Sequence, residues 1–474
     1  MPSGRPCSAR DAAARVRAEP GLLRQANAPH MTVPDIHDGQ LSAGMSMERT
    51  LLRLEDMRPV LGVVVDPLAL DQQAKLKTAT GNFTPELARM TAMGMHTLRV
   101  EVRVPSDAKE HGATLQLLED LVAHNRTVPQ QPLRVLLQFN FAGGPNAQPF
   151  GLDAAERAEE PAQLRYLRAL VTEMTGKPGA DPALAAKLAQ AKLPTQTLAT
   201  AVFAAAARVL HKPAAPLQAE YAKISAHGGV AAVGTRFGAD AGTAVQQLYQ
   251  QVPGLQPFVA GVELGNEPEV QWKTAAPFDE ATRDQELGSA AIAAFDAVVP
   301  GVPAMAAAHE WDPASEQALL REVVGDLASG PNAPGAIAGQ VYASRWAGAI
   351  KAFAATRHGA TSPVPLAIHV YNAPLIARAA IDALARIAAD NHLTFALSIT
   401  ELQIDAYSHG NPTDERLALG VVELGTQIMD EVARHTDRLQ VVALIAFSYH
   451  KADNGHPGQQ FGLRGNAALG KLTG

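Results

Sequence analysis

Cysteine is almost missing from this sequence. Cys7 is the one example among 474 residues, so no disulfide can form within the chain. Positive charge is not in excess either, because 40 Lys and Arg residues face 47 Asp and Glu residues, for a formal net charge of -7. Such a chain offers no basic footprint for nucleic acid or for an anionic membrane. We therefore expect an uncharged partner, with neither nucleic acid nor a membrane involved.

Long apolar runs are also missing. No stretch approaches the roughly 18 apolar residues that span a bilayer, and the N-terminus lacks the apolar core of about 7 to 15 residues that marks a signal peptide. As written, the chain is expected to stay in the cytoplasm. Residues 1–45 are rich in Ala, Arg and Pro and contain Met31 and Met45 as alternative starts. We interpret them as a poorly ordered N-terminal tail.

Motifs for metals and nucleotides are absent from the sequence. It contains no HExxH, paired CxxC, P-loop or strand-linked GxGxxG, and its 15 histidines are scattered without the spacing of metal ligands. We therefore expect no metal and no cofactor. Hydrophobic residues make up 47% of the chain and charged residues 18%, which is typical of a globular protein with a substantial core.

What the sequence does contain is a regular alternation of short apolar segments and segments with helical periodicity. Eight strand-like segments can be counted from Pro59 onwards, and strands that alternate with helices predict a parallel sheet. The predicted fold is the (β/α)8 TIM barrel, formed by one domain over residues 58–474. The predicted strands begin near Pro59, Thr97, Leu133, Phe258, Val302, Pro365, Phe395 and Leu439.

The segment between predicted strands three and four is far longer than the roughly 10 to 12 residues that a βα crossover needs. Its Ala-rich text indicates several helices, so we interpret residues 153–252 as a helical insertion. Close packing of helices explains the alanines better than a repeat or a binding code. Helices are predicted at Ala154–Thr175, Pro182–Leu193, Thr197–Leu210 and Ala241–Gln251.

Two of the apolar strands end on a glutamate. The stretch FVAGVELGNEPEV places Glu267 after Asn266, and the stretch FALSITELQID places Glu401 after Thr400. In a (β/α)8 barrel the C-terminal ends of the strands form the rim that a substrate reaches. Two carboxyl groups at one rim can divide the work of an acid and a nucleophile.

These two stretches resemble those of the clan A retaining glycoside hydrolases. That (β/α)8 superfamily includes many cellulases, mannanases, xylosidases and exopolysaccharide hydrolases, and the resemblance runs from Pro59 to the end of the chain. In the superfamily, Asn-Glu-Pro after strand four carries the acid/base and a glutamate after strand seven is the nucleophile. The resemblance implies Glu267 as the acid/base and Glu401 as the nucleophile of a hydrolase that cleaves an oligo- or polysaccharide by double displacement.

The implied mechanism requires a particular distance between the two glutamates and a different protonation state for each. Retaining hydrolysis needs carboxyl groups about 5 to 5.5 Å apart, whereas inverting enzymes leave about 6.5 to 9.5 Å for a water molecule. The pKa of Glu267 should be raised and Glu401 should be held ionised. Arg99, which matches the strand-two arginine of the superfamily, is the candidate that keeps Glu401 ionised. Arg103 competes for that role, and a surface ion pair between Arg99 and Glu101 is the structural alternative.

Other residues have supporting roles in the resemblance. Asn266 matches the asparagine that bonds the sugar 2-hydroxyl, although it could also cap a turn. His369 and Tyr371 share one side of strand six. Tyr371 is similar to the phenol that donates to the nucleophile, while His369 could simply be a satisfied buried histidine.

The ends of strands five and eight are expected to line the sugar subsites. His309 and Trp311 fit a subsite, although Trp311 could belong to the core and Glu310, of opposite parity, is interpreted as a structural or rim carboxylate. On strand eight the chain departs from the superfamily, which often has a tryptophan beneath the sugar. Here the platform is Phe447 or Tyr449, which leaves the substrate's identity open.

Two alternatives to hydrolysis remain at this point. A transglycosidase would use the same covalent intermediate with a sugar acceptor, and a catalytically silent carbohydrate-binding barrel would bind without turnover. The presence of both glutamates disfavours the silent barrel. The sequence does not name the sugar, the linkage, endo or exo action, or the oligomeric state.

Overall fold

The structure of the chain is a computed structural model. It describes residues 60–67, 82–104, 108–141, 162–191, 194–224, 230–266, 280–308, 341–371, 374–403 and 424–446. All of these residues belong to one compact unit, Glu48–Gly474. Their strands and helices follow one another as the alternation of apolar and amphipathic segments requires.

Eight strands are described: β1 (Leu61–Val65), β2 (Thr97–Val104), β3 (Arg134–Phe141), β4 (Val259–Asn266), β5 (Ala304–Ala308), β6 (Val364–Tyr371), β7 (Phe395–Gln403) and β8 (Leu439–Ala446). The main described helices are α1 (Thr84–Ala92), α2 (Ala108–Thr127), α3 (Ala162–Met174), α4 (Pro182–Gln190), α5 (Gln196–Val209), α6 (Ala214–Lys223), α7 (Val230–Gln251), α8 (Glu280–Val298), α9 (Arg345–Ala355) and α10 (Pro374–Asp390). A further helix, α11, covers residues 424–432 in its described part.

The strands form one parallel sheet in the order β5-β4-β3-β2-β1-β8-β7-β6. The first strand pairs with the last, β1 with β8, and the two edge strands β5 and β6 lie in contact, so the sheet curls into a nearly closed barrel. Helices lie between the strands along the chain. At the remaining boundary β5 and β6 adjoin, and within the described residues no hydrogen-bonded ladder joins them. The predicted (β/α)8 fold is confirmed.

Alternate residues of each strand face two different apolar regions, as the pleat of a strand requires. One region lies between the sheet and the helices, and Leu98, Val100 and Phe139 are fully buried there. The other is smaller and consists of strand residues only: Val64, Leu136, Met305, Ala308, Ala367, Ala443 and Ile445. This second region fills the barrel interior, and the polar side chains of the candidate site join it.

The helices between β3 and β4 divide into two groups. Helices α3 to α6 share an apolar core of their own, in which Leu167, Val202 and Phe203 are fully buried. Tyr221 packs edge-on against Phe203, with ring centroids 5.4 Å apart. Helix α7 instead contributes residues such as Val245 to the core of the barrel. The segment 153–252, interpreted as an insertion, therefore contains helices of both groups.

Helix α7 packs on α8 through glycines spaced four residues apart, Gly234, Gly238 and Gly242, which lie on one helix face. A Cβ atom added to Gly238 would lie 2.0 Å from the carbonyl oxygen of Ala291. At Gly234 the corresponding distance, to the carbonyl oxygen of Leu287, is 2.4 Å. Any larger residue would force the two helix backbones apart.

One helix prediction in this region was wrong, and one helix was missed. Helix α7 was expected to begin at Ala241 but begins at Val230, and α6 was not expected. Glycine disfavours a helix by about 1 kcal/mol relative to alanine, so the glycines of α7 made its first half resemble a loop. Two prolines had the same effect at the start of α6, where Pro213 precedes the helix and Pro216 occupies its first turn.

Several expectations concern residues that the structure does not describe. They include the tail over residues 1–45, the domain start at residue 58 and the predicted helix Ala314–Leu327. Among the described helices, none is both long enough and apolar enough to cross a membrane.

Candidate active site

Arg99 is the centre of a buried cluster inside the barrel. Its Nη1 donates to Oε1 of Glu401 at 2.7 Å and its Nη2 donates to Oδ1 of Asn266 at 2.7 Å. Its Nε donates to Oε2 of Glu263 at 2.8 Å. Arg99 starts on β2 and is only 3% exposed, so one guanidinium links β2, β4 and β7 away from bulk water.

Glu401 lies near the C-terminal end of β7, where the strand departs from regular pairing. Ile399 pairs with Ile368 of β6, but the next pair is Glu401 with His369, so Thr400 is an extra residue. Neighbouring side chains of a regular strand point to opposite faces. The bulge allows both Thr400 and Glu401 to reach the interior cluster, which is a known use of bulges next to active sites.

Glu263 lies on β4 and is completely buried. Its Oε2 accepts from Arg99, and its Oε1 accepts from the backbone amide of Ala308 at 3.2 Å. The Thr400 hydroxyl donates to the same Oε1 at 3.4 Å. A buried carboxylate is costly unless it is paired and hydrogen-bonded, and these contacts from β2, β5 and β7 meet that requirement.

Asn266 ends β4, three residues after Glu263, so the two would face opposite sides of a regular strand. Between them Gly265 has a φ of 102°, a conformation that glycine adopts without a Cβ clash. This local turn lets both side chains contact Arg99. Oδ1 of Asn266 accepts from Arg99, and an amide side chain also carries an NH2 group that can donate.

His369 lies beside Glu401 on β6 and is 1% exposed. Its Nε2 is 3.7 Å from Oε1 of Glu401, which is beyond direct hydrogen-bond distance. The histidine is therefore buried next to the carboxylate and in position to respond to its charge.

Four of the predicted site residues lie in this buried cluster. Arg99, Asn266, Glu401 and His369 come together, and the burial of Arg99 contradicts a surface ion pair with Glu101. The structure gives Tyr371 and Arg103 only as backbone positions of β6 and β2. The remaining predicted residues lie outside the described part of the chain: Glu267, His309, Glu310, Trp311, Phe447 and Tyr449.

Sequence reasoning missed Glu263 and Thr400. A signal for Glu263 was present, because a carboxylate in the middle of the apolar strand VAGVELGN must be paired if it is buried. Thr400 gave no such signal. Its inward position depends on the bulge, which the alternation of residues along β7 does not indicate.

One group of described residues has donor atoms close enough to hold a metal: Asp382, Glu431 and His435, whose ligand atoms lie within 4.8 Å of one another. Glu431 accepts from Arg378 at 3.2 Å and from Arg434 at 2.8 Å. These two cations already balance its charge, so we interpret the group as an ion-pair network between α10 and the end of α11. It lies at the N-terminal side of β8, away from Glu401.

No protein-family model and no curated protein matches the chain. Among solved structures it is similar to the exo-beta-1,4-mannosidase Op5Man5 from Opitutaceae bacterium strain TAV5, with 12% identity and a TM-score of 0.40 over 87% of this chain. The chain spans 58% of the length of that structure.

Two further solved structures are similar to the chain. For the GH53 catalytic domain of Ignisphaera aggregans, identity is 11% and the TM-score is 0.45, over 92% of this chain and 98% of that one. For endo-glycoceramidase II from Rhodococcus sp., identity is 13% and the TM-score is 0.37, over 87% of this chain and 78% of that one.

Proposed function

We propose that the protein is a retaining β-glycoside hydrolase that cleaves an oligo- or polysaccharide. The observation that supports this most directly is the shared guanidinium of Arg99, which binds both Glu401 and Asn266. Asn266 is the residue directly before Glu267 in the chain. Together with the Asn-Glu-Pro and Ile-Thr-Glu strand ends, this contact supports two glutamates that act on one sugar.

In the proposed first step, Glu401 attacks the anomeric carbon while Glu267 donates a proton to the departing glycosidic oxygen. The carbon–oxygen bond to the leaving group breaks as the glycosyl ester with Glu401 forms. In the second step Glu267, now ionised, removes a proton from water, and the water oxygen displaces Glu401. Two inversions give net retention of the anomeric configuration.

Arg99 has two roles in this proposal. Its positive charge beside Glu401 favours the ionised carboxylate that the attack requires, and its fixed plane orients the attacking oxygens. Asn266 donates from Nδ2 to the sugar. Tyr371, His309, Trp311 and either Phe447 or Tyr449 complete the subsites as the sequence predicts.

The test is activity against a panel of aryl β-glycosides and polysaccharides, with the anomer of the fresh product determined by NMR. We expect a retained product, and Glu401→Gln should be folded and nearly inactive, because an amide cannot form the glycosyl ester. Glu431→Gln is the matched control, since it neutralises another buried glutamate paired with arginine. An inverted product, or full activity of pure Glu401→Gln, would refute the mechanism.

Glu267→Ala tests the acid/base separately. This variant should hydrolyse substrates with good leaving groups much better than those with poor ones, and azide should restore turnover as a β-glycosyl azide. Equal loss on both classes, without azide rescue, would remove Glu267 from the role.

Product analysis separates hydrolysis from the related alternatives. A transglycosidase would transfer the sugar to an added acceptor in preference to water, whereas a silent barrel would bind oligosaccharides without turnover. Either result would keep the carbohydrate site and change the proposed reaction.

A further inference from the structure

Glu263 is a buried carboxylate that has no role in the proposed reaction. It is fully buried, and it contacts the same guanidinium as Glu401 through Oε2. Its other oxygen accepts from β5 and β7 through Ala308 and Thr400. Both oxygens of this completely buried carboxylate already accept from protein groups, so we assign it no direct part in the chemistry.

We infer that Glu263 is a positioning residue that fixes the Arg99 guanidinium and shares its charge with Glu401. The inference rests on the proposed function for its catalytic consequence. Its structural part, the orientation of Arg99, stands on the contacts alone.

The positioning argument follows from the shape of the side chain. A guanidinium is planar, so an acceptor that fixes Nε also fixes the directions of Nη1 and Nη2. Glu263 is that acceptor, while Nη1 and Nη2 point to Glu401 and Asn266. Because Ala308 and Thr400 hold Glu263 from two other strands, Glu263 cannot follow a movement of Arg99.

The charge argument concerns how strongly Arg99 holds Glu401. Among the side chains that the structure describes, Arg99 on β2 and His369 on β6 face Glu401, and Glu263 on β4 lies behind Arg99. The sequence adds the phenol of Tyr371 on β6 as a further group expected beside Glu401. With Glu263 ionised, the one positive charge of Arg99 is shared between two carboxylates, Glu263 and Glu401. Without that second negative charge, Glu401 would be stabilised further as the anion, because removing a like charge favours ionisation.

Two substitutions separate position from charge. Glu263→Gln keeps one oxygen, which can accept from Nε of Arg99 while its NH2 group faces Ala308 and Thr400, and it removes the charge. The acid limb of the kcat/KM profile should therefore move to lower pH by about one unit. Glu263→Ala removes the acceptor as well, and kcat should fall about 100-fold through misplacement of Glu401. Glu263→Asp should recover part of that loss, since a carboxylate returns at a shorter reach.

Glu431→Gln is the control here also, because it neutralises a buried glutamate at the other end of the barrel. Its pH profile should match that of the wild type. The inference is overturned if folded Glu263→Gln leaves the acid limb unmoved, or if Glu431→Gln moves it equally.

A crystal structure of Glu263→Ala decides the structural part without any activity. We expect the Nη1 of Arg99 to leave Oε1 of Glu401, and an unchanged pair in a folded variant would overturn the inference. If the wild type hydrolyses no β-glycoside, the proposed function fails while this structure still decides whether Glu263 positions Arg99.

Discussion

Each nitrogen of Arg99 has its own acceptor, and this determines what can replace it. The three acceptors are Glu263, Glu401 and Asn266, at 2.7 to 2.8 Å. A lysine ammonium is a point charge on a flexible stem and cannot hold all three in one plane. A buried carboxylate without its partner also carries a large desolvation cost. The cluster therefore depends on the identity of this side chain and not only on its charge.

We predict that Arg99→Lys lowers kcat/KM about 100-fold, because a small misplacement of Glu401 has an effect of that size. Steady-state kinetics on an activated aryl glycoside are the measurement, with circular dichroism to verify folding. Arg103→Lys on the same strand is the control. If Arg103→Lys is the damaging change and Arg99→Lys is silent, the wrong arginine has been assigned.

His124 gives a pH-dependent contribution to stability. Burial lowers its pKa below the ordinary value of 6.5, and its Nε2 lies 2.8 Å from Oγ1 of Thr91, between α2 and α1. The unfolded chain therefore binds a proton on this residue more readily than the folded protein. Its contribution is fully present above pH 6.5 and is lost as the pH falls through the lowered pKa.

We predict that the urea midpoint of the wild type falls more steeply than that of His124→Gln as the pH is lowered from 7.5 to 5. Comparing the slopes of the two proteins cancels the groups that they share. Parallel curves would show that His124 titrates alike in the folded and unfolded states.

The limits of sequence reasoning are clear at individual residues. Arg99 and Glu401 could be identified because charged residues near or within apolar strands are unusual and match a motif. Glu263 gave the same signal but matches no motif, so its partners could not be named, and the inward position of Thr400 depends on the bulge in β7. Periodicity assumes a regular strand, and the site is built where two strands are irregular.

Among the described elements, the helices α7 and α8 approach each other closely at the glycines of α7. Gly238 approaches Ala291 so closely that a methyl group would overlap its carbonyl oxygen. Sequence propensity counts this glycine against a helix, whereas the tertiary contact requires it. Propensity therefore gave a wrong start for α7, while most strands, whose signal is a short apolar run, were found within a few residues.

We predict opposite effects for two glycine-to-alanine substitutions. Gly112→Ala in α2, where nothing lies within 4 Å of the added Cβ, should raise stability by up to about 1 kcal/mol. Gly238→Ala should lower it by about 1 to 3 kcal/mol, the usual cost of overpacking. Chemical denaturation measures both. Stabilisation by Gly238→Ala would mean that the helices separate at little cost.

For the molecule as a whole, the order of eight strands and the (β/α)8 class followed from the alternation in the sequence. The sequence did not predict how the segment before β4 divides into two groups of helices. Helices that are distant in the chain share a core, and periodicity does not indicate which helices do so. Helices α3 to α6 have their own core, whereas α7 packs on the barrel. Glu286 of α8 accepts from the amides of Gln196 and Thr197, at the start of α5, and so ties the two regions together.

We predict that replacing residues 162–224 by a short flexible linker leaves a folded barrel, whereas a deletion extended to residue 251 unfolds it. The shorter deletion should preserve activity on a small activated glycoside and change activity on a polymer, since Arg99, Glu263 and Glu401 lie outside it. Thermal unfolding and kinetics on both substrates are the measurements. Equal loss on both substrates in a soluble variant would place part of the catalytic site in these helices.

The described residues of β5 and β6 form no hydrogen-bonded ladder with each other, and this should affect how readily the barrel opens locally. Amide hydrogens beside such a boundary are expected to exchange with deuterium sooner than those within a continuous ladder such as β2 with β3. The amide of Ala308 should exchange more slowly than its neighbours at this boundary, because it donates to Glu263. Its exchange rate should fall when an inhibitor occupies the rim, so that one backbone hydrogen reports on ligand binding from inside the barrel wall.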